Sequence, residues 1–149
     1  MVEVLFYQLD HRPLESVLPQ LLERTLERGW RACVQTGSIE RVEALSSALW
    51  TWRDEAFLPH GTASDGNGEL QPIWLTDGDD NPNGAAVRFL VDGAAAASLA
   101  GLERAVYLFD GRDPAALATA RARWSEGREA GHEVTYWQQD EDGRWIKRA

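Results

Sequence analysis

Short apolar segments alternate with segments of helical periodicity along this chain, and this alternation most constrains its fold. Residues 2–9, VEVLFYQL, form a nearly continuous apolar run of strand length. In residues 13–29 the apolar side chains recur every three or four positions, and Gly29 stands where a helix would end. Apolar strands that alternate with helices are typical of α/β proteins with a mainly parallel sheet.

The same criteria predict the remaining elements. Asp113 followed by Pro114 is typical of a helix start, with an N-cap residue and a first-turn proline. Further strands are predicted at 30–36, 73–76, 86–93, 105–111 and within 132–149, and further helices at 38–52 and 112–131. A turn at Asp142-Gly143 precedes a frayed or paired end. We therefore expect one domain over residues 1–149, a three-layer α/β sandwich with a nucleotide-binding-like, Rossmann-like topology.

The charge of the chain argues against a general nucleic-acid binder. The net charge is -9, and the first hundred residues hold seven arginines against fifteen acidic residues. Phosphate contacts need positive surface, so any patch that binds anions is expected in the last third of the chain. Lys147 is the only lysine, so arginine would supply such a patch, and its planar fork suits carboxylates and phosphates.

Several sequence features predict a cytoplasmic protein. Cys33 is the only cysteine and lies in an apolar run, which favours a buried thiol in a reducing compartment over a nucleophile. The first residues lack the pattern of a signal peptide. No apolar run reaches the length of a membrane span, so no membrane association is expected.

The fingerprints of common catalytic and cofactor sites are missing. No G-x-G-x-x-G follows the first strand, and neither a P-loop nor a G-x-S-x-G motif occurs. The three histidines are far apart, and the acidic loop at 77–80 lacks EF-hand spacing, so we expect no metal and no cofactor. His60 is open to two interpretations, a base or an interface residue. A small nucleotide-binding enzyme and a direct binder of single-stranded DNA stay as alternatives.

One pattern on the last helix stands out as a candidate binding site. Leu117, Arg121, Trp124 and Arg128 occur at i, i+4, i+7 and i+11, so they share one narrow stripe, with Arg123 to its side. Two arginines around a large aromatic side chain suit an acidic, hydrophobic peptide. The alternative is that Trp124 belongs to the core and the arginines are solvated.

Longer blocks of the sequence carry a resemblance to a known family. In chain order they are FYQL, GWRACVQT, ALW followed by FLPHG, QPIWLT, NPNGA followed by FLVDG, and RARWSEGREAGHEVTYWQQDEDGRW. With this order and spacing, the chain resembles the chi subunits of the bacterial DNA polymerase III holoenzyme over essentially its whole length. These subunits belong to the clamp-loader assembly.

The resemblance implies a non-catalytic adaptor with a nucleotide-binding-like fold. Its expected partners are the psi subunit and the acidic C-terminal tail of single-stranded DNA-binding protein. A repair helicase is a further candidate partner on the psi-facing surface, and DNA would be contacted mostly through the partner proteins. The tail is acidic and ends in an aromatic residue with a free carboxylate, which agrees with the charge and apolar surface of the stripe.

The resemblance also implies which residues bind. The tail site would comprise Arg121, Arg123, Trp124 and Arg128, with Trp50 as an apolar wall. The psi-facing surface would include Phe57, Leu58, Pro59 and His60. Trp50 and Trp52 point about 160° apart on a helix, so we expect Trp52 in the core and Trp50 at the binding site. Some relatives have a basic residue at the position of Leu117, so this patch is expected to be smaller.

Overall fold

The computed structural model describes residues 2–51 and 59–149 and has helices on both faces of one sheet. The strands are β1 (Glu3–Leu9), β2 (Ala32–Gln35), β3 (Ile73–Thr76), β4 (Val87–Leu90), β5 (Arg104–Asp110), β6 (Glu133–Gln139) and β7 (Trp145–Lys147). The helices are α1 (Leu14–Glu27), α2 (Ile39–Trp50) and α3 (Pro114–Glu129), and a short 3-10 helix covers Gly68–Leu70.

The seven strands follow the order β3-β2-β4-β5-β1-β6-β7. Strands β1 to β6 pair in parallel, and only β7 is antiparallel, beside β6. We call the face that packs against α1 and α2 the front face, and the face that packs against α3 the back face. The predicted three-layer α/β sandwich with a mainly parallel sheet is confirmed.

Local sequence accounts for where the helices begin and end. The side chain of Ser38 accepts a hydrogen bond from the amide of Arg41, and Asp113 accepts one from Ala115, as N-cap residues do. Gly131 follows α3 with a φ of 83°, a conformation that glycine adopts at little cost after a helix. The predicted strand at 86–93 is shorter because the chain turns at Asp92, which has a φ of 54°.

The two cores lie on opposite sides of the sheet. The front core contains apolar side chains of α1 and α2 and those of the strands that face them, including Leu18, Leu45 and Phe89. The smaller back core contains Phe6 and Ala120, with Trp124 packed against it. Helix α3 contacts β5, β1 and β6, so it covers only one half of the back face.

A buried arginine stabilises the loop that lies over the other half of the back face. Arg88 is 4% exposed, and its guanidinium donates to the carbonyl oxygens of Gly78 (2.7 Å) and Asp80 (3.1 Å). Its Nε donates to Oε1 of Gln35 at 2.9 Å. A buried charge is tolerated only when such groups surround it. The cation therefore attaches loop 77–85 to β4, where no helix of the described residues covers the sheet.

Replacement of Arg88 by methionine should destabilise the protein strongly. The variant leaves buried carbonyl groups without a donor, so we expect the free energy of unfolding to fall by about 3 kcal/mol. Urea denaturation measures this loss. Arg112→Met is the control, because the Arg112 side chain is 76% exposed and should cost less than about 0.5 kcal/mol. Equal losses in both variants would contradict the role of Arg88.

Candidate functional site

The stripe predicted on α3 lies on the flank of the helix that faces β6. Trp124 is half-buried, and its ring makes edge contacts with Phe6 (5.9 Å between ring centres) and Tyr136 (6.0 Å). The guanidinium carbon of Arg128 lies 5.8 Å from the centre of the Trp124 ring, within cation–π range. Arg121 and Arg128 are exposed. Trp124 thus contacts the back core and also supports an arginine at the surface, so the two interpretations of this residue are compatible.

Tyr136 belongs to the same surface, although it was not among the residues predicted to bind. Its hydroxyl group donates a hydrogen bond to Gln8. Burial raises the pKa of Tyr136, Asp10 acts in the same direction, and the positive charge of Arg121 acts against them. The alternation of side chains along β6 was the available signal, because it sends Tyr136 to one face of the sheet together with Val134.

We call this surface the α3 groove and define it by Arg121, Trp124, Arg128 and Tyr136. It offers two exposed guanidinium groups beside two aromatic rings. Such a surface can bind carboxylates through the arginines and an apolar or aromatic side chain through the rings.

Arg123 lies on the opposite flank of α3. The buried residues Ala120 and Gly127 run between the two flanks, so Arg123 is not brought to the α3 groove. Its Nη1 pairs with the carboxylate of Glu126 at 3.2 Å, and its Nε has no hydrogen-bond partner among the described residues. The side chain lines a cavity of about 610 Å³ at the carboxyl ends of β4 and β5. Arg123 was predicted to lie to the side of the stripe, and the structure puts it at this cavity, separated from Trp124 by the buried Ala120 and Gly127.

Trp50 also lies away from the α3 groove. It is the last residue of α2, a helix of the front face, whereas α3 packs on the back face. The indole is 53% exposed, and its ring centre lies 4.3 Å from that of His60. The resemblance implied that Trp50 forms a wall of the tail site beside Arg121 and Trp124. The structure instead puts Trp50 on the other side of the sheet. The sheet separates the two positions.

The predicted psi-facing residues are only partly within the described residues. Phe57 and Leu58 lie outside them, as does Trp52. Pro59 is half-buried, and His60 is 5% exposed, with its Nε2 3.1 Å from the hydroxyl group of Ser46. Among Trp50, Pro59 and His60, Trp50 therefore has the large exposed ring.

The chain beyond His60 continues along the outer edge of β3. The amide of Gly61 donates to the carbonyl of Ile73, and the amide of Leu75 donates to the carbonyl of Gly61. These two hydrogen bonds attach the His60 segment to the sheet. The position of His60 is therefore determined by the same edge strand that α2 covers.

In the loop after β1, three backbone amides donate hydrogen bonds to the side chain of Gln139. Oε1 of Gln139, which is 3% exposed, accepts hydrogen bonds from the amides of Asp10, His11 and Arg12, each at 3.2 Å. In dinucleotide-binding proteins of this fold class, backbone amides after the first strand bind phosphate. Here the neutral side-chain oxygen of Gln139, at the end of β6, accepts the hydrogen bonds of these amides instead. Sequence motifs do not reveal this contact because Gln139 is far away along the chain.

Cys33 is buried, and burial raises the pKa of its thiol to about 11. The thiol accordingly stays protonated at neutral pH, as an inert core cysteine does. Within residues 2–51 and 59–149, no three His, Cys, Asp or Glu side chains form a group that could hold a metal ion. No helix in the described part of the chain is long and apolar enough to cross a membrane. The cytoplasmic location stays a prediction.

Comparison with known proteins places the chain in a family. The family described as DNA polymerase III chi subunit, HolC, matches residues 1–135. A probable DNA polymerase III subunit chi from Rickettsia prowazekii (strain Madrid E) is 28% identical over 91 residues, which cover 61% of this chain and 55% of that protein. The chain thus spans about half the length of this curated relative. Because the family match extends over most of its residues, the chain belongs to the DNA polymerase III chi subunit family.

Proposed function

We propose that the chain is a non-catalytic accessory subunit of the DNA polymerase III clamp-loader complex in DNA replication. In this role it bridges the psi subunit and the acidic C-terminal tail of single-stranded DNA-binding protein. Membership of the chi family supports the assignment to the holoenzyme. The observation that supports a bridge is that two candidate surfaces lie on opposite faces of the sheet, one at α3 and one at the end of α2.

The α3 groove is the proposed site for the acidic tail. Arg121 and Arg128 would pair with tail carboxylates, and the rings of Trp124 and Tyr136 would contact its terminal aromatic residue. Charge-assisted hydrogen bonds to carboxylates are stronger than neutral ones, and arginine forms them with two parallel N–H groups. The chain as a whole is acidic, with a net charge of -9. Attraction must therefore be local, which keeps long-range binding to DNA weak and makes contact with DNA mostly indirect.

The ring of Trp50 is the centre of the proposed psi-facing surface, together with Pro59 and His60 and with Phe57 and Leu58, which precede them in the sequence. A tryptophan that is 53% exposed at a helix end resembles the aromatic anchors of protein interfaces. His60 would act from beneath this ring, as its support, and not as a base. A repair helicase that uses the same surface would compete with psi.

Substitutions of single arginines on the two flanks of α3 test the tail site. We expect Arg121→Ala and Arg128→Ala each to weaken binding of a synthetic acidic peptide with a terminal phenylalanine by about fivefold. Titration calorimetry measures the affinity, which should also fall as salt increases. Arg123→Ala on the other flank is the control and should retain the affinity. If Arg123→Ala alone weakened binding, the site would lie at the cavity on that flank.

Trp50→Ala should separate the two surfaces. We expect it to weaken binding of purified psi by about tenfold, because a truncated aromatic anchor typically costs more than 1 kcal/mol, and to leave binding of the tail peptide unchanged. Ile39→Ala is the matched control, since Ile39 is 44% exposed at the opposite end of the same helix. Loss of tail binding in Trp50→Ala, with unchanged folding by circular dichroism, would contradict the assignment of Trp50 to psi.

The alternative, a small nucleotide-binding enzyme, has a direct test. The cavity at the carboxyl ends of β4 and β5 is large enough for a small ligand. Against this, Gln139 already takes the amides that would bind phosphate after β1. We expect no change in melting temperature on addition of ATP or NAD. A concentration-dependent increase would favour the enzyme.

A further inference from the structure

The last strand, β7, adds side chains to the back face next to α3. The family match ends at residue 135, so β7 lies beyond it. Helix α3 contacts β5, β1 and β6, which leaves the back face of β7 beside it. Adjacent strands lie about 4.8 Å apart, so β7 borders the surface formed by β6 and α3.

The register decides which side chains of β7 face the α3 groove. Ile146 is paired with Gln138, whose side chain is on the back face, where it donates to Asp10. Lys147 is paired with Trp137, which stacks on Tyr7 on the front face. Because side chains alternate along a strand, Ile146 lies on the back face and Lys147 on the front. Arg148 directly follows β7, and its side chain also lies on the back face, because its Nε donates to Gln138.

Arg148 lies directly beside Tyr136. Its backbone amide donates to the carbonyl of Tyr136 at 2.8 Å, and its Nε donates to Oε1 of Gln138 at 3.3 Å. This hydrogen bond holds the guanidinium along the back face of β6. The Tyr136 ring contacts Trp124 of α3, and Arg121 lies one turn before Trp124 on the same stripe of that helix. Tyr136 therefore has an arginine of α3 on one side and an arginine of the β7 end on the other.

We propose that Ile146 and Arg148 form a second wall of the tail-binding site, opposite α3. This inference rests on the proposed function and extends it: the acidic peptide would lie between α3 and β7, over Tyr136. Its carboxylates would contact arginines of both walls, and Ile146, which is 36% exposed, would contact its apolar side chains. Charge complementarity selects an acidic occupant, because Arg121, Arg128 and Arg148 supply three positive charges here, against the negative charge of the neighbouring Asp10, which accepts hydrogen bonds from Gln8 and Gln138.

Adjacent residues at the end of β7 supply a matched test. Arg148→Ala should weaken binding of the acidic peptide about fivefold, whereas Lys147→Ala should leave it unchanged. Both variants lose one positive charge, but only Arg148 faces the groove. Ile146→Glu should weaken binding by at least tenfold, because it places a carboxylate in the path of the peptide. Fluorescence anisotropy with a labelled acidic peptide measures the affinities, and thermal melting establishes that each variant is folded.

The outcomes separate this inference from the function on which it rests. Equal weakening by Lys147→Ala and Arg148→Ala would overturn the second wall, because only overall charge would then matter. Weakening by Arg121→Ala with none by Arg148→Ala or Ile146→Glu would also overturn it, while the site on α3 would stand. No effect of Arg121→Ala, Arg128→Ala or any β7 variant would reject the tail site and with it this inference. If Arg148→Ala lowers the melting temperature, Arg148→Gln replaces it and should give the same loss of affinity.

Discussion

The direction in which the chain crosses its sheet determines where every candidate surface lies. From β1 the chain crosses to β2 and then β3, towards one edge, and from β5 it crosses to β6, towards the other edge. Because parallel crossovers are right-handed, the opposite directions place α1 and α2 on the front face and α3 on the back face. The α3 groove and the ring of Trp50 are therefore on opposite sides of the sheet, which is compatible with the proposed bridge between two partners.

Two buried polar side chains complete this scaffold. Arg88 attaches loop 77–85 to the half of the back face that α3 leaves uncovered, through hydrogen bonds to backbone carbonyls. Gln139 joins β6 to the turn that precedes α1 by accepting three backbone hydrogen bonds. Buried polar groups with all their hydrogen bonds made favour one arrangement of the chain, because a shifted arrangement would leave them unpaired. The elements that carry the α3 groove are thereby attached to the rest of the sheet.

The elements of the fold were predictable because their signals are local. Helical periodicity and caps predicted α3 nearly to the residue, and apolar runs predicted β1 and β3. Helix geometry alone also put Arg121, Trp124 and Arg128 on one stripe, and the structure retains that stripe. It did not reveal which neighbouring residues α3 would bury, so it did not show that Arg123 lines the cavity instead of the α3 groove. Strand order and the position of β7 depend on long-range pairing, which has no local sequence signal.

The sequence by itself determined the α/β class, the absence of the common phosphate-binding motifs and the resemblance to chi subunits, because periodicity and motif spacing are properties of neighbouring residues. Tertiary structure decided which contacts the side chains make. It put Trp50 against His60 and away from Trp124, and it put Gln139 against the backbone amides that follow β1. The pairing of β6 with β7 likewise brought Arg148 beside Tyr136. Each of these contacts joins parts of the chain that only the sheet brings together, so its formation depends on the complete fold.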